Sequence, residues 1–169
     1  MPKSKVNYQK FNYFRVKLVR DESVTYKIGE SVMHSNDFAL VTREIIDQKG
    51  CSDREQMVLI LLDAKNKIIG TNILTFGTTT CCSIFPKEII KIALLSNAAA
   101  LLLAHNHPSG DVSPSSEDLQ ITKKMYNLCM DMGLGFHDHI IVSCFDKATY
   151  SFAGEGYMQR FERERSALI

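Results

Sequence analysis

The stretch AAALLLAHNHPSGDVSPSSED, residues 98–118, decides how the fold is read. Its apolar half reads as a buried strand that ends on His105 and His107. Pro108-Ser109-Gly110 is a turn that reverses the chain. Beyond the polar loop a helix is expected from about Pro114 to Met132, with Gly133 as its stop. Side chains at i and i+2 of a strand share a face, so the imidazoles of His105 and His107 converge while Asn106 faces away. On the helix, the apolar stripe Ile121, Met125, Leu128, Met132 continues backwards to Asp118 and then to Ser115, which turns the aspartate inward. An ionised carboxylate aimed at a core is costly unless it is paired or metal-bound, and no Lys or Arg lies next to it on that stripe. Two neutral imidazoles and one carboxylate form a mixed nitrogen and oxygen set that zinc accepts, with a fourth tetrahedral position left for water.

The flanking sequence supplies the other elements. Ser35 or Asn36 can cap a helix running to about Gln48, with Phe38, Leu40, Val41 and Ile45 on its apolar side and Gly50 as its end. MVLILLD, a turn at AKNK and IIGTNILTFG read as a β-hairpin whose first strand is apolar on both faces and therefore central and covered. Pro86 suits the first turn of a helix to roughly Ser96, and Asn97 can stop it in the left-handed conformation. A further strand follows in FHDHIIVSC. Helices alternating with a few strands indicate an α/β sheet covered by helices. The expected organisation is an N-terminal extension of short strands (1–35), one compact domain (36–150) and a charged C-terminal tail (151–169) that is frayed or a short surface helix.

Composition narrows the function classes. With 169 residues, 45% hydrophobic, 23% charged and a formal net charge of +1, the chain is neither disordered nor a strongly basic nucleic-acid module. The longest apolar runs, MVLILL and AAALLLA, fall far short of the ~20 residues of a membrane span. No apolar stretch of a secretory signal follows the N-terminus, so a cytoplasmic location is expected. Five cysteines (Cys51, Cys81, Cys82, Cys129, Cys144), odd in number and without a C-x-x-C pair, read as reduced thiols.

Hydrolysis at a zinc-bound water also requires a general base that can return its proton to the leaving group. Glu55 is the best candidate, because it stands at the entrance of the buried strand, where a charged side chain can stay at a cleft edge. Glu44 and Glu88 lie within expected helices and read as solvated faces. Ser115, one helical turn before Asp118, can donate its hydroxyl to an oxyanion, although an N-cap role would account for it equally. A second H-x-H, His137-Asp138-His139, is the rival metal pair; in a strand Asp138 faces away from both rings and no second carboxylate follows at helical spacing. His137 and His139 are therefore expected to be structural or to stand behind the ligands, with metal ligation by His139 a minor alternative.

His105-x-His107, seven residues, Ser115, two residues and Asp118, with an upstream Glu55, resemble the JAMM signature of the JAB/MPN metalloprotease fold. Within that group HNHPSGD-x-SPS-x-x-D, NAAALLLAHNH, REQMVLILLDAKNKIIG and DHIIVS resemble the RadC family of bacteria and their phages or mobile elements, over about Asp37 to Cys144. The resemblance implies a cytidine-deaminase-like αβα sandwich with a mixed β-sheet. It also implies Zn²⁺ on His105, His107 and Asp118, a water held by Glu55, and a JAMM-type hydrolase; the expected reaction is that of a metallopeptidase cleaving a peptide or isopeptide amide of a peptide or protein substrate. The alternative is a DNA-repair or recombination accessory in which the metal domain is a binding module. Three features depart from the family. The first ~35 residues are too short and strand-like for the helix-hairpin-helix module many relatives carry, which weakens the case for DNA. Cys81-Cys82 and Phe85 stand where relatives commonly have small polar residues and a polar group. Nothing matches the substrate-clamping insertions of eukaryotic deubiquitinases, so ubiquitin is not carried over.

Overall fold

Seven consecutive buried residues, Gln56–Leu62, form a strand (β1) that cannot lie at a sheet edge, because both its faces need apolar cover. A computed structural model describes residues 35–76 and 85–167 and places β1 inside a five-stranded sheet. The remaining strands are β2 (Ile68–Phe76), β3 (Ala100–Asn106), β4 (Gly135–Val142) and β5 (Thr149–Ser151). They lie in the order β2-β1-β3-β4-β5. Only β3 and β4 run parallel; every other neighbouring pair is antiparallel, so the sheet is mixed. The described residues also form four helices: α1 (Ser35–Lys49), α2 (Pro86–Leu95), α3 (Ser116–Asp131) and α4 (Tyr157–Ser166).

The alternation of side chains along β1 and β3 divides the core into two layers. Met57, Leu59, Leu61, Leu101 and Leu103 pack with Ile89 of α2, Met125 and Cys129 of α3, and Phe161 of α4. Val58, Ile60, Leu62, Leu102 and Ala104 pack on the opposite face with Phe38, Val41, Ile45 and Ile46 of α1. The molecule is thus an αβα sandwich with a mixed sheet, the architecture the resemblance implies. Burying each of these Leu, Ile and Phe side chains stabilises the fold by about 1.5–3 kcal/mol before the entropy of ordering the chain is subtracted.

Expected elements fall within a few residues of the observed ones, and the differences have physical causes. Leu40 is about half exposed, and its place on the buried side of α1 is taken by Ala39, Thr42 and Ile46. Asn97 adopts a positive φ of 53° and Gly133 one of 67°, as their stop roles require. Gly50 follows α1 for a different reason, close approach: a Cβ there would lie 2.1 Å from Gln56 Oε1 and 2.9 Å from the Ile46 carbonyl. The stripe on α3 is rotated by one position: Asp118, Thr122, Met125, Tyr126 and Cys129 are buried, whereas Met132 is 52% exposed. The tail begins on the last residue of β5 and forms α4, with Phe161 in the core. The expected N-terminal extension, apart from Ser35, and Cys81-Cys82 lie outside the described residues. Phe85 is described, 60% exposed immediately before α2. No helix among the described residues is long and apolar enough to cross a membrane.

Candidate metal centre

Sheet register and one helix start bring four side chains together. Met57 of β1 pairs with His105 of β3, so continuing the antiparallel register by two residues sets Glu55 opposite His107. Asp118 arrives from the first turn of α3. Ser115 is the N-cap of that helix in a capping box: its hydroxyl accepts from the Asp118 N–H at 3.1 Å, and the Asp118 Oδ2 accepts from the Ser115 N–H at 2.8 Å. The Ser115 hydroxyl also donates to Asp118 Oδ2 at 2.7 Å, so in this arrangement its proton rests on the carboxylate. One ligand atom from each of Glu55, His105, His107 and Asp118 lies within 4.8 Å of all the others, a cluster that could hold a metal ion.

The hydrogen-bond partners decide how the two rings present themselves. His107 Nδ1 lies 2.6 Å from the Asp111 carbonyl, which can only accept, so this nitrogen carries the proton and Nε2 is bare while the ring is neutral. Gly110, at φ 81°, shapes the turn that delivers that carbonyl. His105 Nδ1 meets His139 Nε2 at 2.9 Å, and its own Nε2 points into the cluster. There His105 Nε2 stands 3.0 Å from His107 Nε2 and 3.2 Å from Asp118 Oδ1, and His107 Nε2 stands 3.7 Å from Asp118 Oδ2. Ligands bound tetrahedrally at zinc distances of 2.0–2.1 Å sit about 3.3 Å apart; the His105–His107 and His105–Asp118 Oδ1 contacts lie close to that spacing, whereas the His107 contact is to the other carboxylate oxygen.

The electrostatics agree with a site built for positive charge. Burial pushes His105 down to about 4 despite the neighbouring Asp118, so it is neutral at physiological pH and its contact with Asp118 is no ion pair. His107 is shifted the other way: the Asp118 carboxylate beside it, supported by the Asp111 carbonyl and Glu55, outweighs burial and raises it. Burial works against ionisation of Asp118, but His107, His105 and the Ser115 hydroxyl and N–H together hold its carboxyl well below the usual range. Glu55 is raised, first by burial and then by the charge on Asp118.

Two supporting residues, Asn106 and Thr122, are not picked out from the sequence, and a third, His139, stands behind His105, one of the places the sequence allows it. Asn106, fully buried, accepts from Gln56 N–H and donates to the Arg54 carbonyl, both at 2.9 Å, thereby clamping the peptide groups on either side of Glu55. Thr122 Oγ1 lies 2.6 Å from His139 Nδ1 and donates to the Asp118 carbonyl at 2.5 Å. His139 is fully buried and stacked on Phe152. The rival H-x-H is pulled apart by an extra residue in β4, where the register with β3 shifts between Leu101 and Leu103. His137 therefore reaches Asn66 in the β1–β2 turn at 2.8 Å, while His139 reaches His105. Asp138 between them is buried and accepts from the Ser35 and Ser151 hydroxyls and the His139 and Ala153 N–H groups, a structural role.

An αβα sandwich with H-x-H on a strand end and an aspartate on the next helix defines a JAB-type domain. The family model that matches is the RadC-like JAB domain, over residues 33–157, and the chain belongs to that family. A UPF0758 protein of Haemophilus influenzae (strain 86-028NP) is 41% identical over 118 residues, covering 70% of this chain and 52% of the relative. A UPF0758 protein of Methanosarcina acetivorans is 34% identical over 122 residues, covering 72% and 51%. One from Actinobacillus pleuropneumoniae serotype 7 is 39% identical over 113 residues, covering 67% and 46%. The chain spans about half the length of the curated relatives it matches.

Proposed function

We propose that the chain is a zinc-dependent hydrolase of the JAMM type, cleaving an amide bond of a peptide or protein substrate in the cytoplasm. One observation carries this reading: His105 Nε2, His107 Nε2 and the Asp118 carboxylate converge with contacts of 3.0–3.7 Å, an arrangement of metal-ligating groups that a positive charge between them would draw together. A proton on His107 supplies that charge in part; a divalent cation supplies it to all three groups at once. Nitrogen and oxygen donors at this spacing fit zinc. His105, His107 and Asp118 would hold it. When bound, zinc supplies Lewis acidity toward the scissile carbonyl and brings a water within reach of deprotonation near neutral pH.

The chain's own residues do the rest. Glu55 accepts the proton of the attacking water and returns it to the leaving amine, for which its raised pKa suits it. Ser115 keeps Asp118 oriented, and rotation of its hydroxyl away from Oδ2 lets it donate to the oxyanion. The three described cysteines are free thiols, which fits a reducing compartment. Elemental analysis of purified wild type beside His107→Ala, followed by a peptide-library cleavage screen of wild type and Glu55→Gln, tests the proposal. Zinc in wild type but not in His107→Ala, with cleavage lost in Glu55→Gln, is expected. A folded wild-type protein that takes up no zinc would sink it.

A further inference from the structure

We propose that Thr122 and His139 are positioning residues that hold His105 with its proton on Nδ1, through a directed hydrogen-bond chain beginning at the Asp118 main-chain carbonyl. The inference rests on the metal-centre reading above and extends it to residues outside the ligand set. Thr122 has one hydroxyl proton, which it gives to the Asp118 carbonyl at 2.5 Å. Its oxygen is then the acceptor for His139 Nδ1–H at 2.6 Å. A neutral imidazole carries one proton, so His139 Nε2 is bare and accepts from His105 Nδ1–H at 2.9 Å. His105 Nε2 is thereby left bare, facing His107 Nε2 and Asp118.

Burial makes the chain binding rather than incidental. Thr122, His139 and His105 are each fully buried, so no solvent competes for these protons. His139 cannot turn freely, because its ring stacks on Phe152 with centroids 5.1 Å apart and planes 10° from parallel. The chain also joins the two ligands that come from different elements: Asp118 on α3 and His105 on β3 are linked through Thr122 of α3 and His139 of β4. Metal-binding histidines usually donate their second N–H to a carboxylate, a carbonyl or water. A second neutral imidazole in that place fixes the tautomer without adding negative charge to the buried site.

The test uses the full chain, with zinc affinity measured by competition against a chelating dye in wild type, His139→Phe, Thr122→Val and Thr122→Ser. Phenylalanine keeps the stack on Phe152 and removes both nitrogens; valine keeps the shape of threonine and removes the hydroxyl; serine restores it. Zinc affinity is expected to fall about 10- to 100-fold in His139→Phe. Thr122→Val should lose less, and Thr122→Ser should match wild type. Nitrogen-15 NMR of metal-free wild type is expected to show His105 protonated at Nδ1, and His139→Phe to lose that preference. If His139→Phe does not fold, the Thr122 pair decides. Thr122→Val binding zinc as tightly as Thr122→Ser, or a His105 proton on Nε2 in the wild type, would overturn the proposal. A wild type that takes up no zinc refutes the metal-centre reading instead, and the tautomer measured without metal then still decides this one.

Discussion

Replacing Asn106 by alanine should loosen the segment that presents Glu55, and the loss can be worked from two hydrogen bonds. Asn106 Oδ1 receives the Gln56 N–H and its Nδ2 reaches the Arg54 carbonyl, each at 2.9 Å, so a side chain supplies the rung that a neighbouring strand would otherwise provide. Gln56 is fully buried, and its N–H left without a partner costs about 1–3 kcal/mol. Arg54 is exposed and its carbonyl can recruit water, so its loss is nearer to the net value of one hydrogen bond, about 1 kcal/mol. A total of about 2–4 kcal/mol corresponds to a fall in Tm of about 5–15 °C for a domain of this size. The assay is a thermal melt of the metal-free protein combined with amide exchange at Gln56, which should lose protection in the variant. Asn106→Asp separates the two bonds: it keeps the acceptor for Gln56 but turns a charged oxygen toward the Arg54 carbonyl, so it should melt no higher than the alanine variant at neutral pH. Wild-type melting and unchanged Gln56 protection in Asn106→Ala would refute the clamp.

Three further outcomes are expected. In the metal-free protein the raised His107 contributes stability that is fully present below the ordinary histidine value of about 6.5 and is lost as pH rises through its raised value; zinc displaces that proton, so apparent zinc affinity should rise with pH across the same interval. Titration calorimetry at pH 6.5 in two buffers of different ionisation enthalpy reads the released proton, and identical heats would contradict it. Gly50→Ala must displace Gln56 Oε1 or the end of α1 and should destabilise by about 1–3 kcal/mol in a denaturant titration; wild-type stability would show that the segment yields freely. Asp138→Ala strips the partners from two N–H groups and two hydroxyls, one of them the N–H of His139, and should cost about 2–4 kcal/mol with zinc affinity falling as well; an unchanged denaturation midpoint would count against the network.

The parts of this molecule that sequence makes legible are those set by local pattern. Pro86 begins a helix, Asn97 and Gly133 end helices, and an apolar run closing on two histidines makes a strand whose rings converge, because each depends on residues within a turn or two. Ser115 and Asp118 are legible for the same reason, as both ends of one capping box. Asn106 and Thr122 are not, because their partners lie 52 and 17 residues away and are fixed by sheet register and helix rotation; for His139 the sequence allows a place behind the ligands but not the partner, His105, 34 residues away. A one-position rotation of α3 brings Thr122 inward, and an extra residue in β4 separates His137 from His139. Neither leaves a trace in composition or periodicity, although a threonine one turn after the ligand aspartate is a signal that could have been weighed.

The placement of Glu55 shows why the clamp and the ligands must be considered together. In the proposed reaction this carboxylate takes a proton and later gives it back, which requires a pKa nearer neutrality than that of an exposed glutamate. Burial and the charge on Asp118 push it in that direction, and His107 pulls it back. A divalent cation on the three ligands adds a stronger pull of the same sign as His107, so burial is what prevents Glu55 from becoming a permanently ionised, weakly basic group. Asn106, between the two histidines, bonds the peptide groups on either side of Glu55 and so helps hold the segment from Arg54 to Gln56 against β3. In the proposed site the central position of the H-x-H motif would therefore act on the base and its outer positions on the metal, which would couple the two halves through three consecutive residues of one strand end.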